Sequence, residues 1–251
     1  MIGPMAHEIS TAALTAAAAR HKDMIEALPT EEYGYSALAD VIASFPETAE
    51  AFYEQLEAPE GGVRGGGATQ FAMALLVADA LGDSRAPTVI DGDLEIETDA
   101  AFTVYYGDLT VHGNLEFEGV LVVLGDLVVD GVLTDWKEWS DLWVTGNVRA
   151  KAAKLGCRAW AGGRLDAEFV LLSRWGALYA HEGVHASIAL RNDYDGHGFL
   201  GPVHAEHQLD FEADEEAVVA ALDPALFNDD GMIEDEDELV EAVVAGKSIL
   251  R

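Results

Sequence analysis

The chain reads GDLTVHGNLEFEGVLVVLGDLVVDGVL from Gly107 to Leu133, and this stretch repeats itself at a constant step. Gly107-Asp108-Leu109 returns as Gly125-Asp126-Leu127, and Gly113-Asn114-Leu115 returns after the same step as Gly131-Val132-Leu133. Short pieces rich in valine and leucine lie between the glycines. A fixed period of this kind is typical of repeats that stack on one another. The sequence therefore predicts a β-solenoid.

The repeat also predicts individual strands and the extent of the solenoid. The strands expected in its most regular part are Phe102–Tyr106, Leu109–His112, Leu121–Leu124 and Leu127–Val129. Alternate residues should point inward, and the corner glycines should relieve a left-handed backbone conformation. Related corners at Gly92, Gly146, Gly163 and Gly183 extend the predicted solenoid over residues 87–209.

The same segment resembles the repeat of bactofilins, the bacterial polymer-forming cytoskeletal β-helix proteins, over about residues 89–205. The resemblance implies a right-handed parallel β-helix in a bacterial protein that serves as a structural scaffold. Bactofilin flanks are short, whereas here the longer regions 1–86 and 210–251 flank the solenoid. We expect these flanks to cover the ends of the solenoid. Covered terminal strands cannot pair end to end, which leaves lateral assembly or membrane partners for a scaffold.

Both flanks have helical patterns, so the predicted fold class is α+β. In region 1–86, Ser10 and Thr11 can cap an alanine-rich helix. Apolar residues then recur at three- and four-residue steps over Tyr33–Leu56, with an interruption at Pro46. The glycine-rich run Gly61–Gly67 reads as a linker before a helix over Ala68–Leu81. Region 210–251 predicts two acidic helices, Glu212–Leu222 and Glu236–Ala245.

The charge of the chain excludes several classes of partner. It carries 14 basic and 46 acidic residues, a net charge of −32, which repels nucleic acid and anionic membrane surfaces. One cysteine, no basic N-terminal segment before an apolar run and no long apolar stretch predict a cytoplasmic protein without membrane insertion. The acid excess either attracts a cationic partner or serves solubility or life at high salt.

The sharpest chemical motif is His181-Glu182-Gly183-Val184-His185, which matches H-E-x-x-H. On a helix, His181 and His185 would bind zinc and Glu182 would act as general base, so a zinc metallopeptidase is one alternative function. However, Ala177–Ala180 and Val184–Ala189 read better as strands. Residues four apart on a strand lie about 13 Å apart and cannot share a zinc ion. The sequence therefore favours no metal here.

Two other groups of residues suggest chemistry more weakly. His197, His204 and His207 follow Asp193 and Asp195 in a predicted loop, where they could bind a transition metal but more often are solvated. The cysteine, Cys157, has no recognisable nucleophile context and is expected to be a buried thiol. We predict no cofactor and no catalytic residues.

All five tryptophans lie between residues 136 and 175. The step from Gly125 to Gly146 is longer than the regular coil from Gly107 to Gly125, and the surplus falls in a loop that carries Trp136 and Trp139. A protruding loop of this kind predicts a partner-binding site. Its predicted residues are Asp135, Trp136, Glu138, Trp139 and Asp141. The alternative is that the loop covers an apolar face. Trp143, Trp160 and Trp175 are nearly one coil apart and predict an interior or lateral stack.

Residues 148–180 form a basic stripe inside the acidic chain, with six basic and two acidic residues. Segment 211–251 has thirteen acidic and two basic residues. We predict that the acidic segment packs back on the stripe and closes the end of the solenoid. Apolar residues should provide most of the docking energy, because exposed ion pairs contribute only about 0–1 kcal/mol each. These residues are Val218, Leu222, Leu239 and Val243. The alternative is a stripe that is free to bind an acidic ligand.

These features together predict a non-catalytic acidic binding protein. The leading hypothesis is an immunity or antitoxin-type inhibitor of a basic bacterial toxin domain, because toxins that hold phosphate must be basic. A bactofilin-like scaffold and the zinc metallopeptidase are the alternatives.

Overall fold

The structure is a computed structural model that describes residues 6–28, 35–57, 67–97, 102–135, 140–173, 175–192, 197–228 and 232–251. The central part of the chain forms a parallel β-solenoid of about six turns, with helices before and after it. The predicted α+β class with a parallel β-solenoid is therefore confirmed.

Five helices are described before the solenoid. They are α1 (Thr11–Arg20), α2 (Lys22–Ala27), α3 (Tyr35–Ala43), α4 (Ala49–Glu57) and α5 (Gly67–Leu81). The Ser10 hydroxyl accepts a hydrogen bond from the Ala13 N–H (3.2 Å), which confirms the predicted cap. The chain leaves the helical conformation between α3 and α4, around Pro46, as its fixed φ and missing N–H require. Most of the predicted glycine linker lies outside the described residues.

The solenoid consists of parallel strands in two sheets. The eleven-stranded sheet contains β1 (Thr88–Ile90), β2 (Leu94–Ile96), β4 (Leu109–Val111), β5 (Leu115–Phe117), β7 (Leu127–Val129), β8 (Val132–Asp135), β10 (Val148–Arg149), β11 (Ala152–Leu155), β13 (Leu165–Ser173), β15 (Val184–Asn192) and β17 (Val203–Asp210). The six-stranded sheet contains β3 (Phe102–Tyr105), β6 (Val120–Val123), β9 (Asp141–Val144), β12 (Arg158–Ala161), β14 (Ala177–Ala180) and β16 (Gly198–Phe199). The four strands predicted from the repeat are all present.

Successive coils stack in register. One ladder of paired residues runs through Thr88, Leu109, Leu127, Val148, Leu165, Val184 and Val203. The coil from Leu109 to Leu127 has the predicted length, whereas the coil before it and the coil after it are longer and the coil from Val148 to Leu165 is shorter. Inward-pointing aliphatic side chains fill the interior, as the alternating pattern predicts, and Leu109, Leu127 and Leu165 are completely buried.

The Gly-Asp and Gly-Asn corners join each coil to the next. The Asp93 carboxylate accepts a hydrogen bond from the Asn114 N–H (2.7 Å), and Asp108 accepts one from the Asp126 N–H (2.9 Å). A Cβ at Gly113 would lie only 2.4 Å from Asp93 Oδ1. The glycine is therefore needed because the acid of the preceding coil occupies its side-chain space. The expected left-handed conformation is wrong for Gly113, whose φ is not positive, although Gly92 (96°) and Gly183 (94°) do adopt it.

The N-terminal helices pack on the outer face of the six-stranded sheet. Val122, Trp143, Trp160 and Tyr179 are paired residues on successive strands of that sheet, and all four belong to the apolar cluster under the helices. This confirms the predicted lateral stack for Trp143 and Trp160. Trp175 does not join it, because it lies in the turn before β14 with 51% of its surface exposed.

The C-terminal helices pack against the other sheet. They are α6 (Phe211–Ala221) and α7 (Glu236–Val244). Val218, Leu222 and Leu239 are buried in a cluster with Phe169 and Leu190 of the solenoid, and Val243 packs against its border. The predicted docking of this segment is confirmed, with three of the four predicted apolar residues at its centre and Val243 at its border.

The position of the helices corrects one expectation. Both helical groups lie along lateral faces of the solenoid instead of closing its ends, because their apolar partners lie on the outer faces of the sheets. Among the described strands, β1, β2 and β3 at one end and β16 and β17 at the other each pair with only one neighbour. Half of the residues of β17 are exposed.

Candidate partner-binding surfaces

The structure describes only the edges of the predicted tryptophan loop. Trp136, Glu138 and Trp139 lie outside the described residues, so their role in partner binding stays a prediction. Asp135 ends β8, and its Oδ1 accepts a hydrogen bond from the Gly156 N–H (2.7 Å). This bond ties one end of the loop to the next coil.

Asp141 closes the other end of the loop and is buried. It faces Arg158 on the neighbouring strand, whose Nε and Nη2 donate hydrogen bonds of 2.8 Å to its two carboxylate oxygens. Burial nevertheless raises the pKa of Asp141 to about 6, and the positive charge of Arg158 opposes this rise. Only 6% of the Asp141 side chain is exposed, so the outer surface here is the half-exposed Arg158 guanidinium, 6.0 Å from the Trp160 ring centroid.

The H-E-x-x-H segment bends around a corner of the solenoid. His181 and Glu182 lie in the turn after β14, Gly183 has a φ of 94°, and His185 belongs to β15. The strands predicted on both sides of the motif are confirmed. The motif therefore lacks the single helix turn that places two imidazoles on one zinc ion in metallopeptidases.

The two histidines of this motif contact different side chains. The His181 Nδ1 lies 3.3 Å from the Tyr179 hydroxyl, and the His185 ring contacts that of His204. In the part of the chain that the structure describes, no group of three or more His, Cys, Asp and Glu residues is arranged to hold a metal ion. Cys157 is buried as predicted, and burial raises the pKa of its thiol well above the usual value.

An acidic face lies on the outer side of the first coils, and we define it by Glu95, Glu97, Glu116 and Asp237. Glu95 and Glu116 are paired residues on β2 and β5. The pKa of Glu116 is raised, first by partial burial and then by the charges of Glu95, Asp237 and Glu97. Lys154 opposes these effects without cancelling them. The face is therefore a patch of clustered carboxylates, three on the solenoid and Asp237 on α7, in which Lys154 offsets part of the negative charge.

This acidic face was not among the residues singled out from the sequence, although a signal was present. Gly92-Asp93-Leu94-Glu95 and Gly113-Asn114-Leu115-Glu116 occupy the same position of the repeat in successive coils. Equal repeat positions stack directly on one another in a solenoid, so the two glutamates had to become neighbours.

The predicted basic stripe is largely occupied by partners within the chain. Lys151 donates to the Val244 carbonyl (2.8 Å) and Lys154 to Asp237 (2.7 Å), both in α7. Arg164 pairs with Asp166 (2.7 Å). The stripe also borders a shallow groove of about 600 Å³ that is lined by both basic and acidic side chains, including Arg149 and Glu168. Arg174 lies outside the described residues.

Comparisons of the chain with models of known families, with curated proteins and with solved structures return no match. Among the described helices, none combines the length and the apolar character needed to cross a membrane.

Proposed function

We propose that this protein is a non-catalytic acidic binding protein, an immunity or antitoxin-type inhibitor that binds a basic toxin domain in the bacterial cytoplasm. The observation that carries the proposal is the acidic face, in which Glu95 and Glu116 stand opposite each other on neighbouring strands. Like charges in directly opposite positions destabilise a sheet, and a basic partner would remove this cost on binding.

The rest of the molecule supports the same role. A net charge of −32 generates a long-range field that accelerates encounter with a cationic protein. The sheet holds these glutamates on a stacked backbone, so little backbone freedom is lost when they are engaged. Nuclease-type toxin domains fit this surface because they need basic groups to hold phosphate.

The decisive experiment identifies the partner and then tests the acidic face. Affinity purification from the native cell should recover a basic domain whose toxicity is relieved when this protein is co-expressed. Glu95→Gln combined with Glu116→Gln should slow association and weaken binding at least tenfold. Glu215→Gln combined with Glu216→Gln removes the same charge from the exposed side of α6 and is the matched control.

Two outcomes would count against the proposal. An association rate that does not change between low and physiological ionic strength would mean that the acids do not steer a partner. Equal effects of the two double variants would mean that only the total charge matters, which fits a solubility or high-salt role.

A bactofilin-like scaffold is the second candidate, and the single-sided pairing of the terminal strands favours it. Val89 on β1 is 59% exposed at one end of the solenoid. If the ends of two copies pair, the protein should form filaments in negative-stain micrographs, and Val89→Lys should prevent them. Met232→Lys, at another exposed apolar residue, is the control. A monomer at high concentration in sedimentation experiments would contradict this candidate.

A further inference from the structure

The side chains of His185 and His204 form a pair on the outer surface of the last coils. The two residues are directly paired on β15 and β17, and their ring centroids are 4.7 Å apart with an angle of 40° between the planes. His185 is half-buried and His204 is exposed. The parallel ladder keeps the two backbones next to each other, about 4.8 Å apart.

This separation fits the chelation of one metal ion by two imidazoles. A transition metal binds imidazole nitrogen at about 2.0–2.1 Å, which puts the ring centroid about 3.2 Å from the metal. When the angle between two such ligands at the metal lies between the values of square and tetrahedral coordination, their ring centroids are roughly 4.6–5.3 Å apart. The observed distance of 4.7 Å lies within this range, so the separation of the two rings is compatible with a shared metal ion.

We propose that His185 and His204 form a binding site for a divalent transition metal such as Ni²⁺, Cu²⁺ or Zn²⁺, with water in the remaining coordination positions. Imidazole favours these metals over Mg²⁺ and Ca²⁺, which prefer carboxylate ligands. The site differs from the H-E-x-x-H motif in its second ligand. Its histidines come from neighbouring coils instead of from positions 181 and 185.

Among the residues that the structure describes, this site offers two protein ligands. Asp166 is the next residue along the same ladder, but its carboxylate is paired with Arg164 at 2.7 Å. A site with two protein ligands and exchangeable water binds less tightly than a closed structural zinc site. We therefore expect one metal ion per chain that exchanges readily.

The test is a titration with Ni²⁺ on the full chain without a histidine tag, in the presence of excess Mg²⁺ to occupy the carboxylates. The imidazole C–H signals of the eight histidines can be followed by NMR. Substoichiometric Ni²⁺ should broaden the signals of His185 and His204 first. Calorimetry should give one site that His185→Ala and His204→Ala each weaken at least tenfold.

His207→Ala is the matched control, because His207 lies on the same strand, is exposed and faces Ile188 instead of His185. It should bind Ni²⁺ like the parent protein. Circular dichroism verifies that each variant is folded. Simultaneous broadening of many histidine signals, or equal losses in His204→Ala and His207→Ala, would overturn the proposal.

Discussion

Lys154 Nζ lies 2.7 Å from Asp237 Oδ1, and this ion pair joins the solenoid strand β11 to the first turn of α7. Lys151, directly before β11, donates a hydrogen bond to the carbonyl of Val244 at the other end of the same helix. A basic side chain at the carboxyl end of a helix and an acidic side chain in its first turn are both favoured by the helix dipole. The two lysines thus hold α7 at both ends.

We expect the apolar contacts of α7 to stabilise the docked segment more than this ion pair does. Asp237 is 76% exposed, so Lys154→Gln should lower the free energy of unfolding by about 1 kcal/mol or less. Leu239 is completely buried, and Leu239→Ala should lower it by about 2–5 kcal/mol. Urea unfolding measures both, with the exposed Lys247→Gln as control. A larger loss for Lys154→Gln would reverse this order.

Removal of the whole segment after Asp210 tests the docking as a unit. The truncated protein should melt at a lower temperature and bind an apolar dye, because Phe169 and Leu190 lose their cover. A truncated protein that is as stable as the full chain would mean that the helices contribute nothing to the solenoid.

The second prediction concerns the contact between coils at Gly163. A Cβ at this position would lie 2.3 Å from Asn147 Oδ1, so Gly163→Ala should destabilise the protein by about 1–3 kcal/mol. Asn147→Ala removes the obstructing atom together with its hydrogen bond from the Arg164 N–H (3.1 Å). The double variant should therefore lose at least about 0.5 kcal/mol less than the sum of the two single variants.

A different corner of the solenoid gives the control for this double-mutant cycle. Gly131 faces Asn114 instead of Asn147, so Gly131→Ala and Asn147→Ala should have additive effects on the free energy of unfolding. Additive effects for Gly163 and Asn147 as well would contradict the steric explanation of the glycine.

The third prediction is the titration of Asp141. Its folded pKa of about 6 lies above the value of about 3.9 expected in the unfolded chain, so the folded state binds the proton more tightly. The stabilisation that results is fully present below about pH 4 and is lost as the pH rises through 6. The stability difference between the parent protein and Asp141→Asn should therefore fall by roughly 3 kcal/mol from pH 4 to pH 7.5.

Carboxyl NMR measures the same titration directly. Arg158→Met should raise the pKa of Asp141 further, because it removes the charge that opposes the effect of burial. A titration midpoint of Asp141 near pH 4 in the parent protein would mean that the two hydrogen bonds from Arg158 outweigh the loss of hydration.

The fourth prediction concerns the tryptophan loop. Replacing Trp136 and Trp139 together by alanine should cost more than about 2 kcal/mol of partner affinity with little change in melting temperature. Trp175→Ala is the control, because Trp175 is exposed on another corner and should affect neither quantity. A lower melting temperature with unchanged affinity would assign the two loop tryptophans to an apolar cover instead.

The features that the sequence determined by itself are local or strictly periodic. The Gly-Asp and Gly-Asn triplets predicted the solenoid and its most regular strands, because each coil must bring its corners back to the same place. The apolar spacing in the C-terminal segment identified Val218, Leu222 and Leu239 as its buried side, because a helix buries residues three and four apart.

Other features depend on which residues become neighbours across coils, and only the tertiary structure decided them. The coils differ in length, so outside the regular Gly-Asp and Gly-Asn repeats a residue's position in the sequence does not show what stacks on it. The burial of Asp141 against Arg158 and the pairing of His185 with His204 both depend on this register. The outer faces of both sheets are apolar over part of their length, and burial of these faces draws the helices to the sides of the solenoid instead of its ends.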